Sequence, residues 1–506
     1  MPLATEPTGE GEVLVVYTGG TIGMVNSDPE NPLSPLRPAE NWKEIESNFR
    51  VLEPEYLGVT TDYCQFSPLL DSSDIRRENW QEIAEVVERY YDSYKGFVII
   101  HGTDTMCYTA SALSFMLENL GKPVIITGSQ VPLVKPRSDG LQNFITAIQI
   151  AASDTFGYPL VPEVCIFFRD HLLRGNRARK LSASGYAGFV SPNYPPLATA
   201  GEHVEFRIAD IRELPSPDQE FYASTFLDPR VMIVEIFPGF DPVVLRNMFA
   251  VGNDQDARVK GLVLKTFGAG NAPGSRPFLD AIEYITAQGI IVVDVTQCPE
   301  GMVELGLYAA SSGLLNRGVI SGLDMTPEAA VCKLMYLLGK GWPLEEVKRI
   351  IRLDQCGEQS LSIYDMTFGD DQEVAVAAPT YRSSGVLPGD IDYTRFRSAS
   401  IRLQDVIFTP SGSESGDARQ QLRIFINHPE ASSETPIRDP HCVGVIRVDD
   451  IAEVKTDLFC DVSRGVQRLA RPGQPLQVTI VVSTGETAEW EKLSLSVFTY
   501  SSARSF

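Results

Sequence analysis

Short apolar runs bounded by glycine or proline alternate with amphipathic stretches along the first two-thirds of the chain. EVLVVY (12–17), GFVIIH (96–101), PVIIT (123–127) and VCIFF (164–168) are rich in Val and Ile without polar alternation. That is the pattern of strands covered on both faces in a parallel sheet. Between them, Trp80, Ile83, Val87, Tyr91 and Tyr94 recur at spacings of three and four and predict one helix face. A second helix is predicted over 108–120, stopped by Gly121 and Pro123. The pattern weakens through 195–225, where Pro195, Pro196, Pro215 and Pro217 suggest a connecting segment. It resumes in VMIVEIF (231–237), GLVLKTF (261–267) and IIVVDVT (290–296), with helical candidates near 276–288 and 327–339. A larger and then a smaller α/β unit are expected.

Past about residue 370 the pattern becomes all-β. SIRLQDVIF (400–408), LRIFINH (422–428), CVGVIRVD (442–449), LQVTIVVST (476–484) and LSLSVFTY (493–500) are separated by turn-rich gaps such as TPSGSESGD (409–417). Leu493, Leu495 and Val497 alternate with serines, the period of a half-buried strand, so a β-sandwich or small barrel is expected. The domain reading is 10–200 and 226–368 for the two α/β units, 201–225 as connector and 385–506 as an all-β accessory domain. A length of 506 residues accommodates two or three such domains.

Composition narrows the function classes. Lys+Arg 43 against Asp+Glu 66 gives a formal charge of −23, the wrong sign for a general nucleic-acid or anionic-membrane binder. No apolar run approaches the ~18–20 residues of a membrane span. The opening MPLATEPTGEGE has neither a basic nor an apolar leader region, so the cytoplasm is the expected location. Eight cysteines without a C-x-x-C pair read as reduced thiols, and five histidines without H-E-x-x-H disfavour metal chemistry. His428 and His441, in strand-edge loops, read as surface histidines.

Four segments carry candidate chemistry. YTGGTIG (17–23) places a Thr hydroxyl and exposed amides at a strand end, where a nucleophile and an oxyanion site can coexist, or where the chain simply turns. HGTDTM (101–106) sets a hydroxyl and a carboxylate at the next strand end, where α/β folds bind ligands, or else caps a helix. DSSD (71–74) favours simple N-capping. RGNRARK (174–180) reads as a solvated basic loop, with Lys180 able to activate a hydroxyl if it sits beside Thr and Asp. GAGNAPG (268–274) imitates a dinucleotide loop, but Pro273 stands where the third glycine belongs, and no nucleotide is expected.

YTGGTIGM, DSSD, HGTDTM through ASALSFMLENLGKPVIITGSQVPL, FRDHLLRGNRARK, TFGAGNAP, TQC and GVISGLDMT occur in order. Together they resemble the type I (cytosolic) L-asparaginases over roughly residues 10–365. The resemblance implies a two-domain α/β asparaginase fold and a cofactor-free amidohydrolase converting L-asparagine to L-aspartate and ammonia, with weak glutaminase activity. It implies Thr18 as nucleophile, Thr103, Asp104 and Lys180 as the activating set, and Asp71, Ser72, Ser73, Thr103 and Asp104 as substrate contacts. Tyr308 in GLYAASSG matches a tyrosine that assists the nucleophile, or is a structural tyrosine. Asn271 and Cys298 match an allosteric site whose usual arginine is replaced by Lys265. The loop 24–55 lacks the tyrosine of many relatives, yet is expected to close over the site. A homodimer or homotetramer without nucleic acid, membrane or metal is implied, and the β domain's partner is unassigned. Two other readings are a non-catalytic amino-acid-binding protein on the same fold and an interaction protein dominated by its β tail. No G-x-S-x-G elbow supports a lipase.

Overall fold

The computed structural model describes residues 3–28, 31, 33–46, 49–250, 258–305, 313–368, 380–386, 391, 395–410, 420–448, 456–471, 473–482 and 486–501. They divide into two compact units, one running up to Ser360 and the other spanning Leu361–Ser501.

The first unit is built on a nine-stranded sheet. Strands β1 (Val13–Gly19), β2 (Thr61–Leu70), β3 (Gly96–Ile100), β4 (Val124–Thr127) and β5 (Val164–Phe168) lie parallel in the order β2-β1-β3-β4-β5. Every residue of β1, β3, β4 and β5 is buried, which is what the unbroken apolar runs require. Successive side chains of β1 feed opposite faces. Leu14 and Val16 pack with helices α1 (Arg77–Arg89) and α2 (Met106–Met116), while Val13 and Val15 pack with α3 (Gly140–Ala151).

Both early helices end sooner than their periodicity predicts, because tertiary partners compete for the following residues. Beyond α1, Tyr91 stacks on Phe221 with ring centroids 3.7 Å apart, and the Tyr94 hydroxyl donates to Asp62 at 2.7 Å. Beyond α2, Leu117–Glu118 pairs antiparallel with Tyr222–Ala223. The supposed connector is partly sheet as well: Val204–Phe206 pairs with Ala198–Ala200 and extends the edge of the nine-stranded sheet.

Later in this unit, β6 (Val231–Glu235), β7 (Gly261–Thr266), β8 (Ile291–Thr296) and β9 (Ile320–Ser321) form a parallel sheet in chain order. The expected helices are α5 (Arg276–Thr286) and α6 (Pro327–Gly339), and a shorter one, α4 (Pro242–Met248), precedes them. One apolar cluster joins the two sheets, with Leu113 of α2 and Leu334 of α6 both in it. Three internal ion pairs lie within the unit: Arg174–Glu163, Arg177–Asp324 and Lys333–Glu358. The Lys333 ammonium also donates to the carbonyls of Ile351 and Leu353 and to Gln359, so this fully buried charge is satisfied on every side.

Among its described residues the second unit is all-β apart from the helix Ser463–Leu469. One antiparallel sheet has the order Leu361–Phe368, Lys492–Tyr500, Phe396–Pro410, Thr456–Asp461, with Glu486–Glu489 pairing the far end of Phe396–Pro410. The other runs Thr380–Val386, Pro475–Val482, Gln420–Ile426, Cys442–Val448. Leu493, Leu495 and Val497 all point inward, as their alternation implied. Leu361–Phe368 corrects the boundary placed at 368: it alternates buried and exposed residues and completes the β unit.

Asp294 on β8 is an anomaly in the core. It is buried, Thr266 Oγ donates to its Oδ1 at 2.7 Å, and its Oδ2 has no hydrogen-bond partner. Burial raises its pKa from the ordinary 3.8 to about 8, so the folded chain holds a proton there at neutral pH. The unfolded chain releases that proton near pH 4, so this carboxyl costs stability progressively as pH climbs from about 4 to 8. Asp294→Asn keeps the Thr266 bond and removes the ionisation. Its melting temperature should therefore exceed that of the parent by several degrees at pH 8 and converge with it near pH 4, as read by calorimetry across that range. An equal gain at both pH values would contradict this account.

Candidate active site

Strand β1 is first in the chain among the parallel strands, β2 lies on one side of it and β3 on the other, so the connections leave in opposite directions and open a crevice beyond the strand ends. Tyr17 is level with Ile100 of β3, which brings Thr18 and the loop after His101 to that crevice together. Thr18 is 1% exposed, and its Oγ donates to the Ile100 carbonyl at 2.7 Å. Gly20, with φ 93°, permits the approach of the two loops: a Cβ there would lie 2.5 Å from the amide nitrogen of Gly102.

The second loop carries the polar set. Lys180 Nζ donates to Thr103 Oγ at 2.9 Å and to Asp104 Oδ1 at 2.7 Å. Thr103 is buried, whereas 64% of the Asp104 side chain faces solvent. Lys180 arrives on the two-residue strand Arg179–Lys180, held antiparallel to Phe189–Val190. From the end of β2, Ser72 Oγ accepts the Asp104 amide proton at 3.3 Å, and Thr105 Oγ donates to the Ser72 carbonyl at 2.7 Å. Asp71 is a capping residue: its Oδ1 accepts from the amide and the hydroxyl of Ser73, and these bonds hold its carboxyl below the ordinary range.

RGNRARK is not the solvated loop its charge suggested. Arg174, Asn176 and Arg177 are buried. Arg177 donates to Asp324 at 2.9 Å, to the Gly357 carbonyl at 2.7 Å and to Ser360 Oγ at 3.0 Å. These partners, from GLDMT and from the end of the unit, anchor the segment three residues before Lys180. Sequence reasoning also passed over His101, a fully buried ring beside the crevice. Its one visible signal was an ionisable residue closing an otherwise apolar strand.

Lys265, Asn271 and Cys298 gather at the carboxyl end of β7 and β8. Lys265 lies opposite Glu235 on β6 and is ion-paired to it. Asn271 closes a tight turn with Phe267, and the Cys298 amide donates to Thr296 Oγ at 3.0 Å. Tyr308 lies outside the described residues. In the 24–55 loop, Met24–Asn26 pairs with Leu36–Pro38, and Lys135 Nζ donates to Asn26 Oδ1 at 2.7 Å. Among the described residues, no group of three or more His, Cys, Asp or Glu is arranged to hold a metal, and no helix is long and apolar enough to cross a membrane.

Residues 12–212 match the family model for the asparaginase N-terminal domain, and residues 230–351 that for the glutaminase/asparaginase C-terminal domain. L-asparaginase 1 of Escherichia coli K12 is 42% identical over 346 residues, covering 68% of this chain and 97% of that protein. The 60 kDa lysophospholipase of Mus musculus is 38% identical over 379 residues, covering 71% of this chain and 64% of that protein. The crystal structure of L-asparaginase I from Vibrio cholerae superposes with a TM-score of 0.61 at 40% identity, over 69% of this chain and 98% of that one. With the fold, the order of the motifs and these likenesses in agreement, the chain belongs to the asparaginase family.

Proposed function

We propose that this protein hydrolyses the side-chain amide of L-asparagine through a covalent threonine intermediate. Thr18 Oγ attacks the amide carbonyl carbon, and the C–N bond breaks as the nitrogen takes up a proton and leaves as ammonia. A β-aspartyl ester remains on the enzyme. Water then attacks the ester, releasing aspartate and returning the proton to Thr18. The observation that carries this reading is the bonding of Lys180 to both Thr103 and Asp104 at the strand end next to Thr18. Lys180 is the terminal group of the proton relay, reached through the Thr103 hydroxyl, and Asp104 orients its Nζ between turnovers.

The same residues suit a free amino acid. Asp104 offers an exposed carboxylate to the α-ammonium group, and the Ser72 hydroxyl, which accepts from the Asp104 amide, keeps its own proton to donate to the α-carboxylate. Asp71 serves here by shaping the Ser72–Ser73 turn. In the resting state the Thr18 proton is held by the Ile100 carbonyl, so attack requires the hydroxyl to rotate away from it.

Ammonia release from L-asparagine by the purified chain tests the proposal. Thr18→Ala and Thr103→Ala are each expected to lower kcat by at least about 10³-fold, as removal of a nucleophile or its proton relay does. A decrease of less than tenfold in Thr18→Ala would refute the nucleophile assignment. L-glutamine, longer by one methylene, should be hydrolysed with kcat/KM lower by roughly 10–200-fold. Parity between the two amides would show that chain length is not sensed. Release of fatty acid from lysophosphatidylcholine, the activity implied by the name of the mouse relative, should stay at background, and a rate above that of asparagine would displace the amidohydrolase reading.

A further inference from the structure

We infer that His101 is a positioning residue for this hydrolysis, its ring holding the Gly102 peptide and so the loop that presents Thr103 and Asp104 to Lys180. The inference rests on the amidohydrolase reading and adds to it a residue that meets none of the reacting atoms.

The ring is fully buried, with Nδ1 2.6 Å from the Gly102 carbonyl oxygen and Nε2 2.8 Å from Thr109 Oγ. A carbonyl oxygen only accepts, so Nδ1 carries the proton. In a neutral ring Nε2 is then an acceptor, and the Thr109 hydroxyl must donate to it. Trp80 Nε1 donates to the same hydroxyl at 2.9 Å, which leaves the Thr109 proton free to point at the ring. The relay Trp80→Thr109→His101→Gly102 thus has one direction and one tautomer. Burial supports the neutral state by pushing the His101 pKa down to about 4.

This relay acts on the active loop through the geometry of a trans peptide. With the Gly102 carbonyl turned toward the ring, the Thr103 N–H points away from it. On its other side the loop is held by Ser72, whose Oγ accepts the Asp104 amide proton and would lie 2.5 Å from any Cβ placed on Gly102. Residues 102–104 are therefore gripped between the buried ring and the DSSD turn. Both hydrogen bonds that Lys180 makes there depend on their placement.

The test separates position from mere bulk. An Asn amide reaches the place of Nδ1 and a Gln amide that of Nε2, so only Asn can donate to Gly102. His101→Gln and Thr109→Val are expected to lower kcat for asparagine by about tenfold or more, with any rise in KM smaller than the fall in kcat, while His101→Asn and Thr109→Ser recover most of that loss. Nitrogen-15 NMR of the wild-type chain should show one histidine, absent from the His101→Asn spectrum, protonated only at Nδ1 from pH 5 to 8. In an active enzyme, equal kcat for the Asn and Gln variants, a loss confined to KM, or an Nε2–H tautomer would each overturn the inference. A wild-type chain that folds yet releases no ammonia would overturn the proposed function instead, with the tautomer measurement still deciding whether His101 grips Gly102.

Discussion

The close approach of two backbones, Gly20 against Gly102, is the constraint on which the site depends. Strands β1 and β3 are hydrogen-bonded neighbours, so their ends are a strand spacing apart, and any Cβ at residue 20 would hold the loops away from each other. With glycine there, Thr18 and Thr103 come to the same crevice from adjacent strands. The chain reaches that point by sheet order: β2 and β3 lie on opposite sides of β1, so the connections leave from the two sides of the opening between them. Apolar runs buried on both faces make this sheet rigid, and a rigid sheet is what a site assembled from several loops needs.

Lys180 depends on a different kind of support. Its segment is pinned by Arg177, whose guanidinium is buried among Asp324, Ser360 and the Gly357 carbonyl. A buried ion pair of this kind adds little net stability compared with apolar packing, yet breaking it leaves a charge without compensation, on the order of 3–5 kcal/mol. Such a pair specifies one arrangement instead of many. It also ties the β9–α6 turn, where Asp324 sits, to the strand that carries the amine. The Lys180 amine and the second parallel sheet therefore belong to one packed unit.

The all-β unit is a separate structural statement. Neither asparaginase family model reaches it, since the matched residues end at 351. Its strands alternate inward apolar and outward polar residues, with long antiparallel pairings such as that of Phe396–Pro410 with Lys492–Tyr500. His428 and His441 both lie near Asp439, at 3.7 and 3.3 Å, in the loop region leading to Cys442–Val448. They are partly exposed loop histidines, as expected, grouped around one carboxylate.

The sequence by itself determined the kind and the ends of the strands with unbroken apolar runs or strict alternation, because burial on both faces and period-two alternation are local patterns, whereas Thr61–Leu70, with its mixed apolar and polar residues, gave no such pattern. The residues alone left the segments of Thr18, Thr103, Asp104 and Lys180 open to a turn, a helix cap or a solvated loop, and it was the ordered motifs' resemblance to the asparaginases that singled these four out. What the sequence left undetermined is who meets whom. Lys180 finds Thr103 across 77 residues and Arg177 finds Asp324 across 147, and no periodicity encodes such pairings. The tertiary structure alone decided that RGNRARK is buried instead of solvated, that α1 and α2 stop early because other segments take up the following residues, and that His101 can carry its proton on only one nitrogen. The physical reason is the same in each case. Charge, hydroxyl and ring chemistry depend on the groups within a few ångströms, and those neighbours are set by strand order and packing, not by distance along the chain.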